Sequence, residues 1–107
     1  MNRLLLSAAL LQRGAPRYTP AGLPALDLVL KHQSEVEQAG QPRRVSMEIK
    51  ALAIGDITER LARLALGSEA DFGGFLATAR NGRGWLFHVT EVETRPQDPD
   101  SLIQIDS

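Results

Sequence analysis

Two separated stretches of strict alternation most constrain what this chain can fold into. From Leu26 to Lys31, the apolar Leu26, Leu28 and Leu30 alternate with Asp27, Val29 and Lys31, and from Arg44 to Ile54, Val45, Met47, Ile49 and Ala51 alternate with Ser46, Glu48 and Lys50. A period of two sends successive side chains to opposite faces, so each stretch predicts a strand with one face on a core. The second strand is expected over Ala25 to His32 and the third over Arg44 to Ile54, where Leu52 and Ile54 break the alternation as a bulge or burial on both faces would. The polar segment Gln33 to Pro42 between them, with Gly40 near its end, is expected as the loop of a long hairpin.

The remaining punctuation completes the order. Arg3 to Leu10 begins with Leu4 and Leu6 on one face and Arg3 and Ser7 on the other, then turns apolar throughout, which predicts a first strand buried on both sides at its end. Leu4 to Leu11 superficially matches a signal-peptide core, but Gln12, Arg13 and Gly14 end it early and no cleavage region follows. No stretch approaches the roughly 20 apolar residues of a membrane span. Gln12 to Leu23, with Gly14, Pro16, Pro20 and Gly22, reads as loop. Asp56 followed by Glu59, with Ile57, Leu61 and Leu64 at helical spacing and Gly67 closing the segment, predicts a short capped helix. Ala70 to Ala79 is a fourth strand whose Gly73 and Gly74 allow a sharp bend or a close neighbour. Asn81 and Gly82 mark the tip of a hairpin over Arg80 to Gly84, leading into a fifth strand from Trp85 to Glu93. Residues 94–107, with Pro96, Pro99 and scattered acids, are expected to be loosely ordered or packed back on the rest, Leu102, Ile103 and Ile105 being their apolar members.

Strand, strand, strand, helix, strand, strand is the order of an OB-fold, so the expected class is all-β with one short helix between strands 3 and 4 of a five-stranded barrel over residues 1–93. A chain of 107 residues holds one core and no separate catalytic lobe. The absence of cysteine removes disulfides, thiolate catalysis and cysteine metal sites together, and is compatible with a reducing cytoplasm. His32 and His88 lie far apart with no metal spacing, and no carboxylate pair forms an acid/base motif, so neither cofactor nor metal nor enzyme activity is expected.

Charge is distributed unevenly although it sums to −1: residues 1–55 carry a net +3 and residues 56–107 a net −4. OB-folds bind ligands over strands 2 and 3, framed by the loops joining strands 1 to 2 and 4 to 5. Eight of the twelve basic residues fall on or beside that face: Arg13, Arg17, Lys31, Arg43, Arg44, Lys50, Arg80 and Arg83. Tyr18 stands next to Arg17 at a strand entrance, and Trp85 follows the basic hairpin tip. A guanidinium beside an aromatic ring supplies the phosphate neutralisation and stacking that single-stranded nucleic acid needs. Each has a structural alternative: solvated loop arginines, a solubilising hairpin tip, and Trp85 as core or interface material. Phe72, Phe75 and Phe87 are most simply core or dimer contacts.

With those residues in view, the chain resembles the primosomal replication protein N (PriB) family, small relatives of bacterial single-stranded DNA-binding protein. The resemblance is carried by Asn2 to Ser7, by Pro20 to Pro24, by Leu28 to Ser34, and by Gly67 Ser68, Gly74 Phe75, Asn81 Gly82 and His88 in matching order over most of residues 2–93. Arg17 to Gly22 is closer still to the general single-stranded DNA-binding proteins. Those proteins continue into a Gly/Pro/Gln-rich tail with an acidic tip, which these 107 residues do not include, and this favours the primosomal relative. Two departures stand out: Ser46 occupies a position where some members present an aromatic ring, and the Arg80 to Arg83 hairpin is shorter and less lysine-rich. The resemblance implies a non-catalytic homodimer in the bacterial cytoplasm that binds single-stranded DNA at replication forks, stabilises the PriA helicase there and promotes recruitment of DnaT. It implies neither a membrane nor a small-molecule substrate. Leu4 and Leu6 of the first strand, whose edge needs pairing or cover, are the expected dimer contacts. Two alternatives stay open: a tail-less general single-stranded DNA-binding protein, and an OB-fold interaction module with little DNA affinity.

Overall fold

In the computed structural model, which describes residues 1–95, the elements are β1 (Leu4–Arg13), β2 (Arg17–Tyr18), β3 (Pro24–Gln38), β4 (Gln41–Ile54), α1 (Ile57–Ala62), β5 (Glu69–Thr78) and β6 (Trp85–Thr94). The sheet runs β1-β5-β6-β4-β3-β2, and a further pairing of β1 with β3 closes the first five of these strands into a barrel. The helix follows β4, the third barrel strand, and precedes β5, the fourth, which is the OB-fold arrangement expected from the sequence. Leu10, Leu26, Leu30, Leu61, Phe72 and Phe87 are fully buried in one core, and Ile57 and Leu64 pack against it from the helix segment. Phe72 and Phe87 are thus core residues, whereas Phe75 is not.

Four local expectations are corrected. Arg17 and Tyr18, expected in loop, form a two-residue strand against Ala25 and Pro24, closed by the bonds from Thr19 N–H to Leu23 O and from Leu23 N–H to Thr19 Oγ1 and by a left-handed Gly22. Two residues are too few to show a period. The segment Gln33 to Pro42 is not a loop either: β3 and β4 continue in register to Gln38 opposite Gln41, with Ala39 and Gly40 alone forming the turn at positive φ. The polarity reflects an arm that has left the core, and backbone pairing continues without it. Asp56 makes no side-chain cap; Thr58 instead donates its N–H and Oγ–H to Gly55 O, and the helix ends at Ala62, before Gly67. Finally, β1 extends to Arg13, and a bulge between Leu10 and Gln12 leaves Leu11 partly exposed where burial on both sides was expected.

Gly74 lies at a bulge in the β5–β6 pair, and a Cβ there would overlap the carbonyl oxygen of His88, so the close approach inferred from the glycine pair is real. On β1, Leu6 faces the barrel interior, which removes it from the outer surface, and Leu4 packs half-buried against the core. The residue that β1 presents outward is Leu5, 66% exposed. Thr94 belongs to β6, so the last strand runs one residue beyond its expected end; the expected features at Leu102, Ile103 and Ile105 lie outside the described residues.

Candidate nucleic-acid interface

The site is a groove of about 430 Å³ on the outer wall of the barrel, lined by the first loop, the β5–β6 connection and the strands between them. Arg17 stands on one bank and Arg80 on the other; Leu52 and Leu86 provide an apolar floor, with His88 beside them. A second depression, lined by Arg13, Val29 and Lys50, shares Asp27 and Leu86 with the first and continues it along β3 and β4.

The electrostatics follow from pairings that sequence could not reveal. Arg17 grips Asp27 with two hydrogen bonds, Nε to Oδ2 at 2.8 Å and Nη2 to Oδ1 at 3.1 Å. That hydrogen bond holds the Asp27 carboxyl below the usual carboxylate range, against the opposing effect of partial burial, and raises the Arg17 guanidinium further. Among the described residues Asp27 is the one carboxylate lining the groove, so the ion pair orients Arg17 and cancels half of the positive charge that Arg17 and Arg80 bring there. Arg80 has no ion pair among the described residues.

Of the sequence-nominated residues, the structure gathers Arg17 and Arg80 around the groove and Arg13 and Lys50 around its continuation. Tyr18 sits next to Arg17 in β2, 73% exposed, and Trp85 opens β6 opposite the groove-lining Thr78, 72% exposed. Neither ring is core material. Arg83 is exposed on the hairpin tip, where its N–H donates to Asn81 Oδ1, and it does not line the groove. Arg13 is half-buried and donates from Nη1 to Leu61 O at 3.2 Å and to Leu64 O, a cap on the carbonyl end of the helix segment. Arg43, Arg44 and Lys31 are not brought to the groove. Lys31 lies at the base of the β3–β4 arm opposite Glu48, Arg44 farther out opposite Glu35, and Arg43 donates to Gln38 Oε1 at 3.0 Å.

Four acids of the second half lie outside the groove lining. Glu69, Asp71, Glu91 and Glu93 lie on β5 and β6, with Arg95 bonding Asp71 and Glu69 and Arg3 bonding Glu91. Hydrogen bonds from Ser7 and Arg95 lower the Asp71 pKa. Among the described residues no group of His, Cys, Asp or Glu is placed to hold a metal, and no helix is long and apolar enough to cross a membrane.

A family model described as "Another single-strand binding protein family" matches residues 2–91. The replication restart protein PriB of Bordetella pertussis is 58% identical over 80 residues, which are 75% of each chain. The chain belongs to the PriB family of single-strand binding OB-fold proteins. PriB of Nitrosomonas europaea is 37% identical over 92 residues, 85% of each chain. Among solved structures, PriB from Ralstonia solanacearum superposes with a TM-score of 0.81 at 36% identity, covering 90% of this chain and 99% of that one. The wild-type single-stranded DNA-binding protein of Thermus aquaticus superposes with a TM-score of 0.71 at 25% identity, covering 90% of this chain and 50% of that one.

Within this PriB-family barrel, sequence reasoning missed Asp27, Leu52, Leu86 and His88 as groove residues. The first three looked like ordinary strand residues, because a period of two says which side chains share a face but not which strands become neighbours. Leu52 meets His88 only through the parallel β4–β6 pairing, and His88 meets Phe75 only through the register of β5 and β6.

Proposed function

We propose that this protein is a non-catalytic accessory factor of bacterial replication restart that binds single-stranded DNA in the groove between Arg17 and Arg80. The observation that carries the reading is the placement of two guanidiniums on opposite banks of an apolar floor, in a chain of the PriB family. Guanidiniums neutralise phosphates, while the unpaired bases of a single strand can lie on apolar and aromatic surface that duplex bases cannot reach. Tyr18 and Trp85, both exposed beside the banks, extend that surface. If the site engages four or five phosphates, counterion release produces a salt slope of about −3. Each base stacked on a ring adds roughly 1–3 kcal/mol, so one productive ring changes affinity about ten-fold or more.

The finer role is the one the family resemblance implies. The protein holds the PriA helicase on branched DNA and promotes recruitment of DnaT, acting as a homodimer at forks in the bacterial cytoplasm. The outward face of β1, with Leu5, is the surface available for pairing. Sedimentation equilibrium at micromolar concentration is expected to give twice the chain mass; monomer alone rejects the dimer.

The deciding experiment is fluorescence anisotropy of a labelled single-stranded oligonucleotide at two salt concentrations, with an equal-length duplex as control. Salt-sensitive binding that favours the single strand supports the reading. A second reading, an OB-fold module that works through protein contacts, is favoured by the commitment of Arg17 to Asp27. It predicts no binding even at low salt together with retention on immobilised PriA. A general single-stranded DNA-binding protein would bind DNA and fail to retain PriA.

A further inference from the structure

We propose that the stacked rings of Phe75 and His88, on the outer wall of β5 and β6, form a base-stacking platform. The single strand would then leave the groove across the barrel and not along the β3–β4 arm. This rests on the single-stranded DNA reading above, adds Phe75, which that reading does not use, and gives the groove-lining His88 a stacking role.

The placement comes from register. Asp27 stands opposite Leu52, Leu52 opposite His88, and His88 opposite Phe75, so four side chains on β3, β4, β6 and β5 form one row across the wall. At about 4.8 Å between neighbouring strands the row is about 14 Å long. It begins at the carboxylate that Arg17 holds, crosses the apolar floor and ends on two rings whose centroids are 4.8 Å apart and whose planes differ by 5°. Phe75 is 39% exposed, unlike Phe72 and Phe87, which are fully buried. His88 covers one side of the Phe75 ring. A base on the other side adds a third layer to a stack already formed, with little rotamer freedom left to lose.

Charge and the arm point the same way. Arg80 lies on the same groove as His88 and is unpaired among the described residues, while the groove's carboxylate is already neutralised. Residues 33–48 of the arm contain no aromatic residue, and Ser46 stands opposite Gln33. The arm has no ring on which a base can stack; the barrel wall has two.

The chain contains two histidines, which makes the test direct. A short oligothymidylate is titrated into the full chain while the histidine ring protons are followed by NMR. His88 resonances are expected to move upfield as a base joins the stack. His32, whose Nδ1 donates to Ser7 O at 2.6 Å at the base of the arm, is expected to stay in place. In parallel, Phe75→Leu, which keeps the apolar volume and removes the ring, is expected to bind the labelled oligonucleotide about ten-fold more weakly with unchanged sedimentation mass. Movement of His32 with a silent His88 places the strand on the arm and overturns the proposal. Undiminished binding by Phe75→Leu, alongside weakened binding by Arg80→Ala, also overturns it and leaves the DNA reading standing. A changed mass in Phe75→Leu assigns the ring to a contact between copies and overturns it as well. No binding by the wild-type chain at low salt removes the DNA reading, and the platform with it.

Discussion

The groove on the barrel's outer wall and the β3–β4 arm share two strands, β3 and β4, yet they use charge in opposite ways. On the arm, register sets opposite charges face to face: Lys31 against Glu48 and Glu35 against Arg44. Cross-strand pairs of this kind contribute roughly 0.2–1 kcal/mol each and cancel one another's field. At the groove, charge comes from Arg17 of the two-residue β2 and Arg80 of the β5–β6 connection, neither set opposite an acid by strand register. Arg17 meets one acid, Arg80 meets none among the described residues, and the floor between them is apolar. An arginine's place in the chain therefore says little about its availability; the residue opposite decides it.

The barrel and the arm should differ most in their tolerance of backbone change. Gly74→Ala forces a Cβ against His88 O between paired strands, and we expect a loss of about 3 kcal/mol or more, read as a large drop in Tm. In the arm turn, Ala39→Gly relieves a non-glycine residue at φ 53° and should change stability by about 0.5 kcal/mol at most, in the stabilising direction. An arm substitution as costly as the barrel one would show that the arm is part of the cooperative core.

Arg13→Ala comes next in size. It removes the donors to Leu61 O and Leu64 O and is expected to cost about 1–2 kcal/mol in urea denaturation while leaving oligonucleotide affinity unchanged. A fall in affinity without a fall in stability would return Arg13 to the binding site. Arg80→Ala with Arg83→Ala should weaken binding and flatten the salt slope by about 0.7 for each phosphate contact removed. Arg43→Ala with Arg44→Ala should leave the slope unchanged, and an unchanged slope in the first pair with a flatter one in the second would invert the comparison.

The smallest effect concerns Asp27. Its folded pKa is depressed by Arg17, so its contribution is present above the unfolded value of about 3.9 and is lost as pH falls through the folded value. For so exposed a pair the contribution is at most about 0.5 kcal/mol. The stability difference between the wild type and Asp27→Asn should therefore shrink below about pH 4; a difference constant from pH 6 to pH 2.5 would show that the ion pair contributes nothing.

Much of this molecule is legible in its residues. The alternation of Leu26 to Lys31 placed one long strand and its buried face, and Ile57 and Leu61 placed the helix, because burial of one face imposes a period. That of Val45 to Ala51 placed the second long strand but not its burial, since of its apolar face only Ala51 is fully buried and Met47 is 41% exposed. Gly73 and Gly74 announced a close approach before its partner was known. The arm was legible only in part: its polar residues imitate a loop, since backbone pairing holds Gln33 to Gln38 against Gln41 to Ser46 without an apolar signal.

What only the tertiary structure decided is which strands become neighbours. Closure of β1 onto β3 and the parallel contact of β4 with β6 bring Leu52, His88 and Phe75 into one row, turn Arg13 toward the helix and seat Arg17 on Asp27. Local preference determines faces and turns over a few residues. Pairing between segments tens of residues apart depends on the whole barrel closing at once, so the sequence by itself named the strands, the helix and the family, and the closed sheet chose the members of the site.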